Sequence, residues 1–171
     1  MRKGLKDKPA RRRSTPSYAR YTPVSEAASR VGRGNRKAGT QPERLLERAL
    51  RRLGLRFGRH GKRLPGTPDI IFPSALVAVF CDGSFWHGRN WQERKVKLTR
   101  GANADYWVAK ISRNRQRDRT INRQLRALGW HVTRVWDSDV CRDPGKVARS
   151  IARCVALRQP YSPASGRSKT T

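Results

Sequence analysis

Three residues close together in the sequence could do acid–base or metal chemistry. Asp69 opens an apolar strand in "PGTPDIIF", Asp82 closes the next one in "ALVAVFCDG", and His87 follows five residues later in "SFWHG". Aspartate is a poor strand former, so a carboxylate at each of these points calls for a reason. The Pro73-Ser74 link between the two strands is hairpin-like and brings both carboxylates to the same end of the pair. Two carboxylates there repel unless a cation lies between them. Hard oxygen ligands with open positions suit Mg²⁺, which keeps several waters and binds phosphate oxygens. Beside such an ion, His87 can take a proton from an attacking water or hold that water in line with a phosphorus. Taken singly, Asp69 is equally a turn carboxylate after Pro68, and His87 equally a surface histidine in a loop.

Phe85 and Trp86 stand between Asp82 and His87, just past an Asp-Gly break where the chain turns to solvent. Aromatic wedges in such a place can enter a base stack, at a cost of a few kcal/mol per step that a weak mismatch lowers. Trp107, at the start of a long helix, either joins them or is a core aromatic. Asp118 lies seven residues after Ile111 and seven before Leu125, which puts it on the inward face of that helix near Asn114. There it is either a buried ion-pair partner or a residue that orients His87. Glu43 is three residues after Thr40, and a helix capping box accounts for it by itself.

The elements that must hold these residues follow from periodicity. "TQPERLLERALRRLG" is a helix with Thr40 as N-cap, Pro42 in the first turn, an apolar stripe of Leu45, Leu46, Ala49, Leu50 and Leu53, and Gly54 as stop. "LRFGRH" reads as a short strand, followed by the two strands that carry Asp69 and Asp82. "NADYWVAKISRNRQRDRTINRQLRALG" is the longest helix, with Trp107, Ile111, Ile121, Leu125 and Leu128 as its apolar residues. "WHVTRVWD" is another core strand, and "DPGKVARSIARCVAL" a closing helix with Val147, Ile151 and Cys154 inward. The order predicts an α/β fold with a mixed central sheet flanked by helices. Residues 1–39 carry twelve basic and two acidic residues with recurring Gly and Pro, which predicts a disordered basic arm. Residues 40–158 form the predicted folded domain and 159–171 a loose tail.

Forty Lys plus Arg against twelve Asp plus Glu give a net charge of +28, a field that recruits polyanions, nucleic acid above all. An Arg-rich codon bias can inflate the basic count but does not explain so few acids. No run approaches the roughly 20 apolar residues of a membrane span, and the N-terminus lacks the apolar segment of a secretory signal. Three scattered cysteines without a CxxC pair predict a reduced, cytoplasmic protein with no disulfide framework.

Together, "TQPERLLERAL", "LPGTPD", "VFCDGSFWHG", "DYWVAKISRNRQRDR" and "LGWHVTRVWDSD", in that order, resemble the very short patch repair (Vsr-type) mismatch endonucleases. The resemblance runs from about Thr40 to Val155. It implies a restriction-endonuclease-like PD-(D/E)xK fold and a Mg²⁺-dependent enzyme that nicks DNA 5′ of the T in T:G mismatches, the product of 5-methylcytosine deamination. Carried over residue by residue, it makes Asp69 and the backbone carbonyl of Cys81 metal ligands and His87 the residue acting on the attacking water, while Asp82, a further ligand by the two-carboxylate argument, departs from the family pattern. Asp118 stands behind His87, and Glu43 comes near the site from the first helix. Phe85, Trp86 and Trp107 wedge beside the mismatch, with Lys110 and Asn114 as further DNA contacts. The position of Asp82 is histidine in the best-known member. That member also holds a structural zinc with three Cys and one His, at positions that are Ser84, Arg89, Trp91 and Ser138 here. No structural zinc is therefore expected, and Trp91 with the apolar surface around it is expected to fill the place. The implied partners are mismatched double-stranded DNA and mismatch-repair proteins, for a monomer associated with the nucleoid. Two other functions fit the same residues: a restriction-type nuclease that needs no mismatch, and a non-catalytic basic DNA-binding module.

Overall fold

The computed structural model describes residues 39–101 and 103–158, so the expected arm up to residue 38 and the tail from 159 lie outside the described residues. In chain order the elements are α1 (Gln41–Arg52), β1 (Gly58–Arg59), β2 (Ile70–Phe72), a 3-10 turn (Pro73–Ala75), β3 (Val77–Asp82), α2 (Trp91–Thr99), α3 (Ala104–Ala127), β4 (His131–Trp136), α4 (Asp137–Arg142) and α5 (Pro144–Arg158). The strands form one mixed sheet in the order β1-β2-β3-β4. β1–β2 and β2–β3 are antiparallel, and β3–β4 is parallel with Val77 opposite His131 and Asp82 opposite Trp136. A parallel pair needs a long crossover, and α2 and α3 supply it. This is the expected α/β mixed sheet with flanking helices, consistent with a restriction-endonuclease-like fold.

The alternation of β3 sorts its side chains between two layers. Val77 and Val79 face a core with Leu46 and Leu50 of α1, Val140 of α4, and Ile151 and Val155 of α5. Ala78 and Phe80 face the other way, against Leu125 of α3 with Ile121, Trp130 and Val132 around them. Leu46 and Leu50 are fully buried, so truncating either to alanine should cost about 2–5 kcal/mol. The first core fixes α1 against the sheet, and the second fixes α3. Between them they hold the two elements that bring Glu43 and Asp118 to the same end of β3.

Several boundaries differ from the sequence reading. The expected strand over 55–60 is only Gly58–Arg59, and β2 starts at Ile70, one residue after Asp69. Leu53 lies past the end of α1 as its C-cap and is 44% exposed; Leu128 caps α3 and is 58% exposed. Both expected stripe residues are thus outside their helices. Tyr106, by contrast, is buried in the first turn of α3. Helix α2 was not foreseen: it buries none of its residues, so it has no apolar stripe to read.

Candidate active site

The open end of β2 and β3 gathers two clusters. The first contains Glu43, His60 and Asp69, whose ligand-capable atoms all lie within 4.8 Å of one another. Glu43 comes from the first turn of α1 and is 6% exposed. Its carboxylate accepts from the Thr40 hydroxyl and the Gly39 N–H, each at 2.8 Å. The capping residue is therefore also a site residue, since each oxygen keeps a second lone pair. His60 reaches the site because the backbone folds it opposite Asp69, whose carbonyl accepts its N–H at 2.9 Å. Asp69 Oδ2 accepts the N–H of Cys81 at 2.8 Å. A strand residue points its N–H and C=O to the same edge, so the Cys81 carbonyl opens on Asp69 as well. Burial, helped by the nearby charges of Glu43 and Asp82, pushes the Asp69 carboxyl up to about 6, against the lowering effect of the Cys81 N–H. Burial and the same carboxylates keep the Cys81 thiol protonated, so only its backbone is a candidate ligand.

Such a corner fits a divalent cation. Two carboxylates and a backbone carbonyl are hard oxygen donors, a histidine nitrogen stands beside them, and among the described residues no lysine or arginine forms an ion pair with Asp69. One expected ligand lies elsewhere. Asp82 does not belong to this corner: it points to the α3 side of β3, where a single nitrogen of Arg134, Nη1, lies 2.8 Å from both its carboxylate oxygens. The two carboxylates expected to share a cation thus have separate partners: Asp69 takes the Cys81 N–H, and Asp82 already has a guanidinium.

The second cluster is built around His87. Its Nδ1 lies 2.7 Å from Asp118 Oδ2 and 3.6 Å from Asp82 Oδ1. Burial disfavours the imidazolium, but the hydrogen bond to Asp118 and the charges of Asp82 and Asp118 outweigh it, and the His87 pKa is raised. Burial likewise opposes ionisation of Asp118, yet the His87 bond and the charges of Arg134, His87 and Arg117 hold its pKa below the ordinary value. An ionised Asp118 accepts from Nδ1–H, which leaves Nε2 as the basic nitrogen. Gly88 lets the loop come this close to α3: its φ is +68°, and a Cβ there would stand 2.9 Å from Ile111 Cγ2.

The aromatics form a third group. The Phe85, Trp86 and Trp107 rings meet at centroid distances of 5.1, 5.4 and 5.7 Å. Tyr106 extends the group, with its centroid 5.0 Å from that of Trp107. Lys110 lies over Trp86 and donates to the Tyr106 hydroxyl at 2.6 Å. Asn114, an expected DNA contact, donates to the backbone carbonyl of Trp86 at 2.9 Å and so anchors the loop. The four positions of the absent zinc ligands do not fill by apolar packing. Ser84 bonds Asp137 and Ser138, Arg89 bonds Ser138 and Asp139, and Trp91 stacks under the Arg115 guanidinium.

A nuclease-like corner beside a buried His–Asp pair and an aromatic group has relatives. Residues 21–93 match the family model described as DNA mismatch endonuclease Vsr. A type II nicking enzyme of Neisseria meningitidis serogroup C, V.NmeDIP, is 37% identical over 88% of this chain and 99% of its own length. The chain belongs to the Vsr family of DNA endonucleases. A second Vsr-like relative, the type II nicking enzyme V.HpaIIP of Haemophilus parainfluenzae, is 38% identical over 72% of this chain and 86% of its own length. The DNA mismatch endonuclease Vsr of Escherichia coli is 36% identical over 57% of this chain and 61% of its own. The Vsr chain described here is thus a DNA-cleaving hydrolase, and no described helix is long and apolar enough to cross a membrane.

His60 and Arg134 are the site residues that sequence reasoning missed. The signal for His60 was the antiparallel hairpin: pairing "FGRH" with "DIIF" brings it opposite Asp69. The signal for Arg134 was an arginine among the strand formers Val132, Thr133, Val135 and Trp136.

Proposed function

We propose that this enzyme is a Mg²⁺-dependent nickase that cuts one DNA strand 5′ of the T in T:G mismatches. The observation that carries the reading is the junction of Trp86 and His87. A ring of the three-membered aromatic group adjoins in sequence the imidazole whose Nδ1 is bonded to Asp118. A base step pried open at Phe85, Trp86 and Trp107 would thus lie next to the group that moves the proton. Asp69, Glu43 and the carbonyl of Cys81 would hold Mg²⁺, with His60 beside them. When bound, that ion supplies positive charge to phosphate oxygens and lowers the pKa of a water. His87 Nε2 takes the proton of the attacking water, and Asp118 holds the ring and stabilises the imidazolium that results. Lys110 and the Arg-rich face of α3 attract the phosphate backbone. With about 6–10 phosphate contacts, affinity should fall roughly 10³–10⁵-fold between 50 and 200 mM salt. A monomer suits a target as asymmetric as one mismatched pair.

The test is strand-resolved cleavage of T:G and C:G oligonucleotide duplexes with Mg²⁺, in several cytosine contexts. A single nick 5′ of the T, in the mismatched duplex alone, is the expected result. Equal nicking of both duplexes would favour a second reading, a nickase that needs no mismatch. The names of the relatives from Neisseria and Haemophilus, both type II nicking enzymes, give that reading its support.

A further inference from the structure

Asp82 and Asp118 compete for one proton, the one on His87 Nδ1. Their nearest oxygens stand 3.6 Å and 2.7 Å from that nitrogen, and both side chains are largely buried. The carboxylate that wins fixes the plane of the imidazole, and with it the direction of Nε2. Arg134 touches both competitors, unequally. Its Nη1 is shared between the two oxygens of Asp82 at 2.8 Å each, while Nη2 only approaches Asp118 Oδ1 at 3.4 Å. Its Nε donates to Asn122 Oδ1 at 3.0 Å, and its guanidinium carbon lies 4.3 Å from the centroid of Phe80. Phe80 is the register partner of Arg134 in the parallel β3–β4 pair, and Asp118 and Asn122 are one turn apart on α3. One guanidinium therefore pins three elements together at His87.

We propose that Arg134 is a positioning residue, which saturates Asp82 so that Asp118 takes the His87 Nδ1–H and Nε2 is aimed at the reacting water. An acceptor already bonded through both oxygens to a cation is a weak competitor for a further donor, which explains why the shorter of the two contacts goes to Asp118. The planar fork is needed because no ammonium can meet Asp82, Asp118 and Asn122 at once. The charged groups facing His87 are Asp82 from β3, Asp118 from α3 and Arg134 from β4, with Arg117 acting on Asp118. The proposal rests on the reading of His87 as the base.

The experiment compares the wild-type enzyme with Arg134→Gln, Arg134→Lys and the double variant Asp82→Asn/Arg134→Gln in steady-state nicking across pH. Arg134→Gln should lower kcat by roughly 10–100-fold with KM for DNA unchanged, on the scale seen when a residue that orients a site ligand is lost. The acid limb of its profile should move to higher pH, because a positive charge next to the imidazole is gone. Arg134→Lys should behave like Arg134→Gln. The double variant, which also removes the carboxylate freed to compete, should recover most of kcat and bring the limb back towards wild type. It also covers the case in which Arg134→Gln fails to fold around an unpaired buried carboxylate. A wild-type kcat and limb in Arg134→Gln, or no recovery in the double variant, would overturn the proposal. Nitrogen-resolved NMR of the His87 ring gives a reading without substrate. It should show the Nδ1–H bonded in the wild type and altered in Arg134→Gln, and an unchanged ring would overturn the assignment of Arg134. If the wild type nicks no DNA, the functional reading has failed and the NMR result still decides the role of Arg134.

Discussion

The Glu43–His60–Asp69 corner and the Asp82–His87–Asp118–Arg134 cluster lie at the same end of β3 and treat charge in opposite ways. In the corner, two carboxylates stand beside a histidine with no lysine or arginine paired to Asp69 among the described residues, and burial holds the Asp69 carboxyl at about 6. In the cluster, each carboxylate meets a cation or a histidine, and the His87 and Asp118 pKa values move apart in the directions that favour the ion pair. The difference teaches what each is for. An unbalanced corner is a place where a bound ion can bring the missing charge, as the proposed function requires. A balanced cluster is preorganised and can hold or pass a proton without recruiting anything.

The largest expected effect tests the corner. Asp69→Ala should abolish nicking and leave DNA affinity nearly unchanged in a mobility-shift titration; normal nicking would remove Asp69 from the metal site. Next is the cluster: His87→Ala should slow single-turnover cleavage by roughly 10²–10⁴-fold, the range of a lost general base. Retention of full rate would leave the cluster a structural role only. Trp86→Ala should weaken the preference for T:G over C:G duplexes by about 1–3 kcal/mol, the worth of one aromatic–base stack. The rate on paired DNA should stay the same.

Two smaller effects follow from protonation. As the proposed base, His87 would act only when neutral, and its pKa is raised, so the acid limb of kcat should lie above the ordinary histidine value. Asp118→Asn removes the bond that raises it and should move that limb to lower pH. In stability the same group acts with the other sign: its contribution is complete below the ordinary histidine pKa and is lost as pH rises through the folded value. The Asp69 pKa is raised as well, so its contribution is complete below the ordinary aspartate value and lost as pH rises through about 6. Without divalent cation, Asp69→Asn should therefore be more stable than wild type at pH 8, by at most about 3 kcal/mol, and equally stable at about pH 3. Mg²⁺ should raise the melting temperature of the wild type at pH 8 and do less for the variant.

Much of the site was legible because its parts lie in short runs with local meaning. "PD" before an apolar strand, "FWHG" after its partner and Asp118 at helical spacing from Ile111 each bear on one residue at a time. The sheet and the flanking helices followed from periodicity in the same way. Residues whose place depends on strand register were not legible. His60 comes to the corner through an antiparallel pairing, and Arg134 comes to His87 through a parallel one. Asp82 shows the same limit from the other side. Its place at the end of β3 was read correctly, but its partner is Arg134, which the neighbouring strand β4 brings to it.

Asn114 holds the backbone of the aromatic loop through the carbonyl of Trp86 and makes no demand on the ring that residue carries. The loop's path, and with it the place of His87, is therefore insulated from the identity of the side chain proposed to meet the bases. Exchanging the ring at position 86 need not disturb the proton-transfer machinery one residue away. A scaffold with this division of labour can change what it recognises by single substitutions and still cut, which makes position 86 the natural first position to randomise in retargeting the enzyme.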